Sequence, residues 1–358
     1  MRIGIAFDLA PTGLASDGEA GPDDQFEEFD KPETVEAIAG VLRARGHEVT
    51  LLGDGPEFLR RILDDPPDLV WNMAEGTGVG RCREARVPAV LEMLGIPYTG
   101  SDPLTLAATL DKDVAKRLVA SDGSVKVPDG RALPPGLEQR YFAGAVESLF
   151  AGTVDPVWRE PVLLKPSFEG SSKGIHARCL AWSTDDAWSV YRELSANYHQ
   201  TILVEEFIRG EEVTVGIVGN VDDASVEIVG TMHIVSKQDE ENFVYSLEAK
   251  RDWRNRIRYE APPRLFVSWT RDRLSAAARA CYERLGCRDV ARIDFRVRSG
   301  IPYFIEANPL PGLAPVTSDL VILAKGHGIE YDDLIGRIFE AALARLGLDE
   351  HFPGTSRR

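Results

Sequence analysis

The segment Ala291-Arg292-Ile293-Asp294-Phe295-Arg296-Val297-Arg298-Ser299-Gly300-Ile301-Pro302-Tyr303-Phe304-Ile305-Glu306-Ala307-Asn308 decides how this chain is read. Its arms, Ala291–Val297 and Pro302–Glu306, predict two strands, with Ser299-Gly300 as the turn of a hairpin. Side chains alternate along a strand, so Arg292 and Asp294 share one face, and Glu306 and Asn308 share a face of the partner. Paired strands of this kind can present two carboxylates, an amide and a guanidinium to one pocket. Asp294, Glu306 and Asn308 carry hard oxygen donors, and Mg²⁺ commonly takes one or two carboxylates together with substrate phosphates. Arg292 is suited to stabilise charge on a transferring phosphoryl group. The competing reading is a surface hairpin with a lattice of exposed ion pairs.

Three further segments bear on the choice. Lys165-Pro166-Ser167-Phe168-Glu169-Gly170-Ser171-Ser172-Lys173-Gly174 is an apolar strand that ends in a lysine and opens into a loop of small residues. Glycines let backbone N–H groups approach phosphate oxygens, and the lysines add positive charge. The spacing is not that of a Walker A loop. Val204-Glu205-Glu206-Phe207-Ile208-Arg209-Gly210-Glu211-Glu212 interleaves apolar residues with carboxylates, a pattern that suits a purine base with Glu212 toward ribose hydroxyls. Asn308-Pro309-Leu310-Pro311-Gly312-Leu313 is a rigid turn directly after the candidate metal ligands, able to aim backbone N–H groups at a carboxylate. Alone, the first reads more simply as a linker and the second as an ordinary strand–turn–strand with exposed glutamates, while the third reads equally as a plain loop after a strand.

The bulk composition narrows the class. The chain has 358 residues, of which 44% are hydrophobic, enough for two or three cores. A net charge of −16 disfavours nucleic acid and anionic lipid as main partners. Cys82, Cys179, Cys281 and Cys287 form no CxxC pair and match no zinc spacing. The apolar start Arg2–Phe7 is too short for a signal-peptide core, and no run reaches the roughly 18 residues of a membrane span. A cytoplasmic protein with reduced thiols is expected. Of the six histidines, only His176 lies beside the Gly/Ser loop.

Strand and helix signals alternate through the first third: strands at 2–7, Val49–Leu52, Leu69–Asn72 and Ile96–Tyr98, helices over 35–42, Glu57–Leu63 and Ala85–Leu94. That alternation predicts a parallel sheet covered on both faces. A loop spans about Pro11 to Pro32. Then come a helix at Asp111–Ala120, a proline-containing loop, strands at Pro161–Pro166 and Ile202–Phe207 around a helix at Asp185–Leu194, a β-rich stretch from Glu212 to Val235 turning at Gly219–Asp223, and helices at Leu274–Leu285 and Tyr331–Leu346. Boundaries are expected near 103 and 203, giving units 1–103, 104–203 and 204–358.

Taken in order, these segments, with Leu91–Ser101 (LEMLGIPYTGS), Asp111-Lys112 and Glu248-Ala249-Lys250, resemble the ATP-grasp superfamily, and within it the D-alanine–D-alanine ligase family. The resemblance runs from Leu91 to Leu346. It implies an α/β, three-domain ATP-grasp architecture: an N-terminal parallel-sheet domain, then ATP held between two β-sheet-containing domains. It implies an ATP-dependent carboxylate–amine ligase working through an acyl-phosphate. ATP and Mg²⁺, two ions with Mn²⁺ able to substitute, would be the cofactors, and small amino acids or related carboxylates and amines the substrates. A homodimer is expected by analogy alone.

Carried over by position, Lys112 and Lys165 would contact phosphate. Glu205, Glu206 and Ile208 would line the adenine edge, and Glu212 would take the ribose. Asp294, Glu306 and Asn308 would hold magnesium, and Arg292 would stabilise the intermediates. Ser171 and Ser172 would close over phosphate and substrate, Gly312 would lie near the oxyanion, and Lys250 would sit on the sealing loop. Against the family pattern, Glu75-Gly76 replaces His-Gly, and Arg81, Arg83 and Arg251 are added, hinting at an anionic group on a substrate. The family's substrate-gripping glutamate falls at Glu27 or Glu28, and its substrate-carboxylate serine near Thr317 or Ser318. A related biosynthetic amide ligase, a carboxylase-like enzyme and a catalytically silent nucleotide-binding regulator are the alternatives.

Overall fold

The computed structural model describes residues 1–10, 22–149, 160–222, 224–238 and 240–348. Part of the expected Pro11–Pro32 loop (11–21) and Asp223 of the expected turn lie outside the described residues.

The chain opens with β1 (Arg2–Ala6), α1 (Pro32–Ala44), β2 (Glu48–Gly53), α2 (Gly55–Asp64) and β3 (Leu69–Asn72), followed by α3 (Arg86–Leu94). The strands form a parallel sheet in the order β2-β1-β3. Alternation along β1 sends Ile3 and Ile5 into a core with Val35, Ile38 and Leu42 of α1. It sends Ala6 to the opposite face, against Phe58 and Ile62 of α2 and Leu91 of α3. Helices thus cover both faces, as the alternating pattern predicts. The expected strand at Ile96–Tyr98 is only a single bridge from Tyr98 to Val70. Pro97 has no N–H to give to a longer ladder.

Two short helices follow, α4 (Pro103–Leu110) and α5 (Lys112–Val119). Asp111 between them is extended, and its side chain accepts the N–H groups of Asp113 and Val114. This cap fixes Lys112 as the first residue of α5. Next come β4 (Gly130–Leu133), α6 (Gln139–Glu147), β5 (Val162–Pro166), β6 (Leu180–Ala181), α7 (Thr184–Tyr198) and β7 (Ile202–Glu206). Their strands make an antiparallel sheet ordered β4-β7-β5-β6. One face of it is buried under Phe142 of α6 and Tyr191 and Leu194 of α7.

The remainder comprises β8 (Glu211–Val218), β9 (Glu227–Ser236), α8 (Leu247–Arg251), α9 (Trp253–Arg256), β10 (Ile257–Glu260), α10 (Ser268–Leu285), β11 (Val290–Arg298), β12 (Ile301–Asn308), α11 (Asp319–Gly326) and α12 (Tyr331–Leu346). The five strands form one antiparallel sheet, β10-β9-β8-β11-β12. Val213, Val215, Ile293 and Phe295 project from one face into a core with Leu274, Ala278 and Tyr282 of α10. Their alternates, Glu212, Thr214, Arg292, Asp294 and Arg296, are therefore left on the opposite face. The β11–β12 turn puts Ser299 at φ 53° and Gly300 at φ 75°, both left-handed, and a Cβ on Gly300 would lie 2.3 Å from the Trp269 ring. Among the described residues no helix is long and apolar enough to cross a membrane.

Candidate active site

Across the β11–β12 ladder Arg292 is paired with Asn308 and Asp294 with Glu306. On the other side of β11, Asp294 is paired with Thr214 and Arg296 with Glu212. All of these side chains therefore rise from one sheet face, as alternation requires. Arg292 donates through Nε and Nη2 to the two oxygens of Asp294 at 3.0 and 2.9 Å. Thr214 Oγ1 donates to Asp294 Oδ1 at 2.6 Å, and Asn308 Nδ2 to Asp294 Oδ2 at 3.1 Å. Lys112 Nζ lies 3.3 Å from Glu306 Oε2.

Burial opposes ionisation of Glu306. Lys112, Lys165, Lys250 and Arg292 nevertheless hold its carboxyl well below the usual carboxylate range. An ionised Glu306 opposite Asp294, with an amide beside them, is a set of hard oxygen donors on one wall. That donor set fits Mg²⁺, which needs only one or two protein carboxylates when phosphates complete its shell.

The facing wall comes from the four-stranded sheet. Register places Leu163 opposite Glu205 and Lys165 opposite Leu203, so Lys165 and Glu205 meet diagonally on one face. Lys165 Nζ is 2.7 Å from Glu205 Oε1, and Lys116 Nζ is 3.0 Å from Glu205 Oε2. All three side chains are buried. Lys116 also donates to the carbonyl of Ile305 at 2.6 Å, tying α5 to β12. Burial would raise the Glu205 carboxyl, but the two ammonium groups hold it low. Glu205 is thus clamped within the wall, and Glu206 pairs with Arg298 at 2.7 Å. Arg296 bonds Glu212 at 2.5 Å, donates to the carbonyls of Ile208 and Gly210, and stacks 4.5 Å over Phe207. It fixes the whole 207–212 turn.

The Gly/Ser loop hangs over these walls. Ser171 and Ser172 both have positive φ, 48° and 61°, so the chain doubles back at two non-glycine residues. Ser172 Oγ donates to the Tyr245 carbonyl at 2.9 Å, and Lys250 Nζ lies 4.9 Å from the Tyr245 ring centre. His176 Nδ1 lies 2.6 Å from Glu248, a second tie to the same segment.

Two adjoining chambers result. The first is lined by Lys165, Ser172, Glu205, Glu206, Ile208 and Glu212 and by Asp294. The second is lined by Glu28, Glu75, Lys112, Ser171, Asn308 and Gly312. They share Lys250, Arg292 and Glu306. Every residue expected to meet nucleotide, metal or reacting atoms therefore faces one of two connected spaces.

Several expected substrate residues sit elsewhere. Arg83 is buried, pairing with Glu28 at 2.8 Å and lying 3.5 Å from Glu169, so it has no free face for an anionic substrate. Arg81 pairs with Asp111 at 2.5 Å and covers the Phe168 ring. Arg251 pairs with Asp23 and Glu27 at the surface. All three arginines thus have partners within the chain. Of the two candidate glutamates, Glu28 reaches the second chamber while Glu27 is held outside by Arg251. Thr317 is exposed, and Ser318 Oγ accepts the Ala314 N–H at 2.9 Å beside Gly312.

Sequence reading missed Lys116, Arg296, Glu84, Tyr245 and Asp319, all of which line or brace the chambers. Lys116 is one helical turn beyond Lys112, and Arg296 continues the Arg292–Asp294 alternation, so spacing alone would have found both.

Comparison with known proteins agrees with this geometry. Residues 147–340 match the family model described as the D-ala D-ala ligase C-terminus. The D-alanine–D-alanine ligase of Gloeobacter violaceus is 30% identical over 311 residues, covering 86% of this chain and 92% of the relative. That of an Anaeromyxobacter species is 33% identical over 311 residues, covering 86% and 91%. The crystal structure of the Bacillus anthracis D-alanine–D-alanine ligase complexed with ATP superposes with a TM-score of 0.69 at 22% identity, covering 96% of this chain and 98% of that one. The chain therefore belongs to the D-alanine–D-alanine ligase family of ATP-grasp, ATP-dependent ligases.

Proposed function

We propose that this ligase joins the carboxylate of one amino acid, or a related acid, to the amine of another through an acyl-phosphate, with substrates not restricted to D-alanine. The observation that carries the reading is the common face of Arg292, Asp294, Glu306 and Asn308, opposed by Lys112 and Lys165. In this reading a substrate carboxylate oxygen attacks the γ-phosphorus of ATP and ADP leaves. The amine then attacks the acyl carbon, phosphate leaves, and the amine gives up a proton. Lys112, Lys165 and Lys250 oppose the charge of the transferring phosphate. Arg292 faces the oxygen that gains charge when the acyl carbon is attacked, with Gly312 close by. Asp294, Glu306 and Asn308 would hold two Mg²⁺ ions, or Mn²⁺ in their place, which neutralise phosphate charge when bound. The Ser171–Ser172 loop and the Tyr245–Lys250 segment exclude water that would hydrolyse the intermediate.

Units of 1–103, 104–203 and 204–358 fit this division of labour, with substrate, phosphate loop and metal wall respectively. Small amino-acid-type molecules are the partners, acting on a homodimer in the cytoplasm, and the net charge of −16 argues against nucleic acid. The replacement of the family's His by Glu75, beside Glu84 and Glu28, favours substrates other than D-alanine. A panel of paired amino acids with ATP and Mg²⁺, scored for phosphate release and for a new amide by mass, tests the function. Release matched by amide is expected. Nucleotide binding with no release for any pair would overturn it.

A further inference from the structure

A small recess opens behind the Pro309–Gly312 turn, between that turn and the C-terminal end of β3. It shares Glu28, Glu75 and the turn itself with the second chamber. Its own contribution is Asn72, Asp30 and an apolar lining that includes Trp71. Asn72 is 5% exposed. Its backbone N–H donates to Thr99 Oγ1 at 3.0 Å, and its Oδ1 accepts the Ala74 N–H at 3.3 Å. That second bond fixes which end of the amide is oxygen. Nδ2 is left buried, with no acceptor among the described residues. A buried donor without a partner is costly, so a ligand that supplied an acceptor here would gain from it.

No lysine or arginine is among the described residues that line the recess. Glu28 is saturated by Arg83, Lys173 and the Gly170 N–H. Asp30 and Glu75 have no lysine or arginine paired to them within 4 Å among the described residues. Burial alone pushes the Asp30 carboxyl up to about 7. A ligand group must therefore donate toward Asp30 or Glu75 and accept from Asn72. A methyl does neither, an ammonium cannot accept, and a carboxylate brings further negative charge to a recess lined by carboxyls and no lysine or arginine. The volume, about 40 Å³, admits only a few heavy atoms, since one water needs roughly 10–15 Å³.

We propose that this recess is the side-chain subsite for the amino acid seated against the Pro309–Gly312 turn, and that it selects a short side chain ending in a hydroxyl or carboxamide. The proposal rests on the ligase reading above and names its substrate class. Glu75 and Glu28 form the shared mouth through which the side chain enters, and Asn72 closes its far end.

The test is phosphate release by the full chain with ATP and Mg²⁺. Alanine, serine, asparagine and 2,3-diaminopropionate are each supplied as the sole amino acid, in both configurations. Serine or asparagine should exceed alanine and diaminopropionate in kcat/KM by at least about tenfold. Asn72→Asp keeps the shape and the bond to Ala74 but removes the orphan donor, and should bring the four within about twofold. Alanine equal to the best substrate, diaminopropionate best, or discrimination unchanged in Asn72→Asp each overturns the recess while leaving the ligase reading in place. No release with any of the four, in a chain that releases phosphate with another amino-acid pair, overturns the recess alone; no release with any pair, in a chain that binds ATP, overturns both. If Asn72→Asp does not fold, the wild-type ranking decides alone.

Discussion

Asp294 of β11 and Glu306 of β12 are direct partners across the hairpin ladder, and Lys112, the first residue of α5, lies 3.3 Å from Glu306. A helix start and a strand pair from distant parts of the chain thus converge on one carboxylate. Asp294→Asn and Glu306→Gln keep shape while removing charge. Each should lower turnover by at least about 100-fold, the scale of losing one charge-stabilising group. Both variants should remain folded, with Asp294→Asn losing some thermal stability because it weakens the bidentate pair with the buried Arg292. Near-normal phosphate release in either variant would remove the metal assignment.

Lys116 braces Glu205, and through it Lys165, while bonding the Ile305 carbonyl. Lys116→Met leaves a buried carboxylate with one cation instead of two. Breaking a buried pair costs about 3 kcal/mol or more, which denaturant unfolding would show. ATP affinity should fall with it, because Lys165 is no longer held by a doubly anchored Glu205. A loss below about 1 kcal/mol would place this triad outside the framework of the site.

Arg83 and Arg251 should separate by their surroundings. Arg83 is buried among Glu28 and Glu169, so Arg83→Met should destabilise the chain by about 3 kcal/mol or more. Arg251 is 40% exposed where it meets Asp23 and Glu27, and Arg251→Ala should cost less than about 1 kcal/mol. Equilibrium unfolding of both variants checks the order, and the reverse order would contradict it.

The acidic chamber predicts a pH dependence. Burial pushes the Glu84 carboxyl from an ordinary 4.5 up to about 8 and that of Asp30 from 3.8 to about 7. The folded chain then binds more protons than the unfolded chain across about pH 4.5 to 8, so stability falls as pH rises through that window. Glu28, Glu205 and Glu306 are held low and act in the opposite sense, but only as pH rises through the unfolded glutamate range near 4.3. Glu84→Gln should match the parent's melting temperature near pH 4 and exceed it at pH 8.5. Parallel curves at both pH values would show that Glu84 does not titrate this way.

The hairpin was legible because its information is local: alternation puts Arg292, Asp294, Glu306 and Asn308 on common faces whatever the rest of the chain does. Lys165, Ser171 and Ser172 were legible for the same reason, as a strand running into a loop of small residues. The helices α4, α6 and α11 and the strands β4 and β10 were not read. β4 is a four-residue strand inside a proline-containing loop, made by pairing with β7, and β10 exists only against β9. The roles of Arg81, Arg83 and Arg251 depend on acidic partners as much as 228 residues away in sequence, which spacing cannot supply. The orphan amide of Asn72 is likewise invisible until Ala74 and Thr99 are seen to take its other groups.

The central claim is that the wall of Arg292, Asp294, Glu306 and Asn308 activates a carboxylate by transferring phosphate to it. Supplying the turned-over amino acid with ¹⁸O in its carboxylate, alongside unlabelled ATP and Mg²⁺, follows that oxygen directly. An acyl-phosphate path carries one labelled oxygen into the released phosphate for each amide formed. Amide formed with unlabelled phosphate would contradict the account.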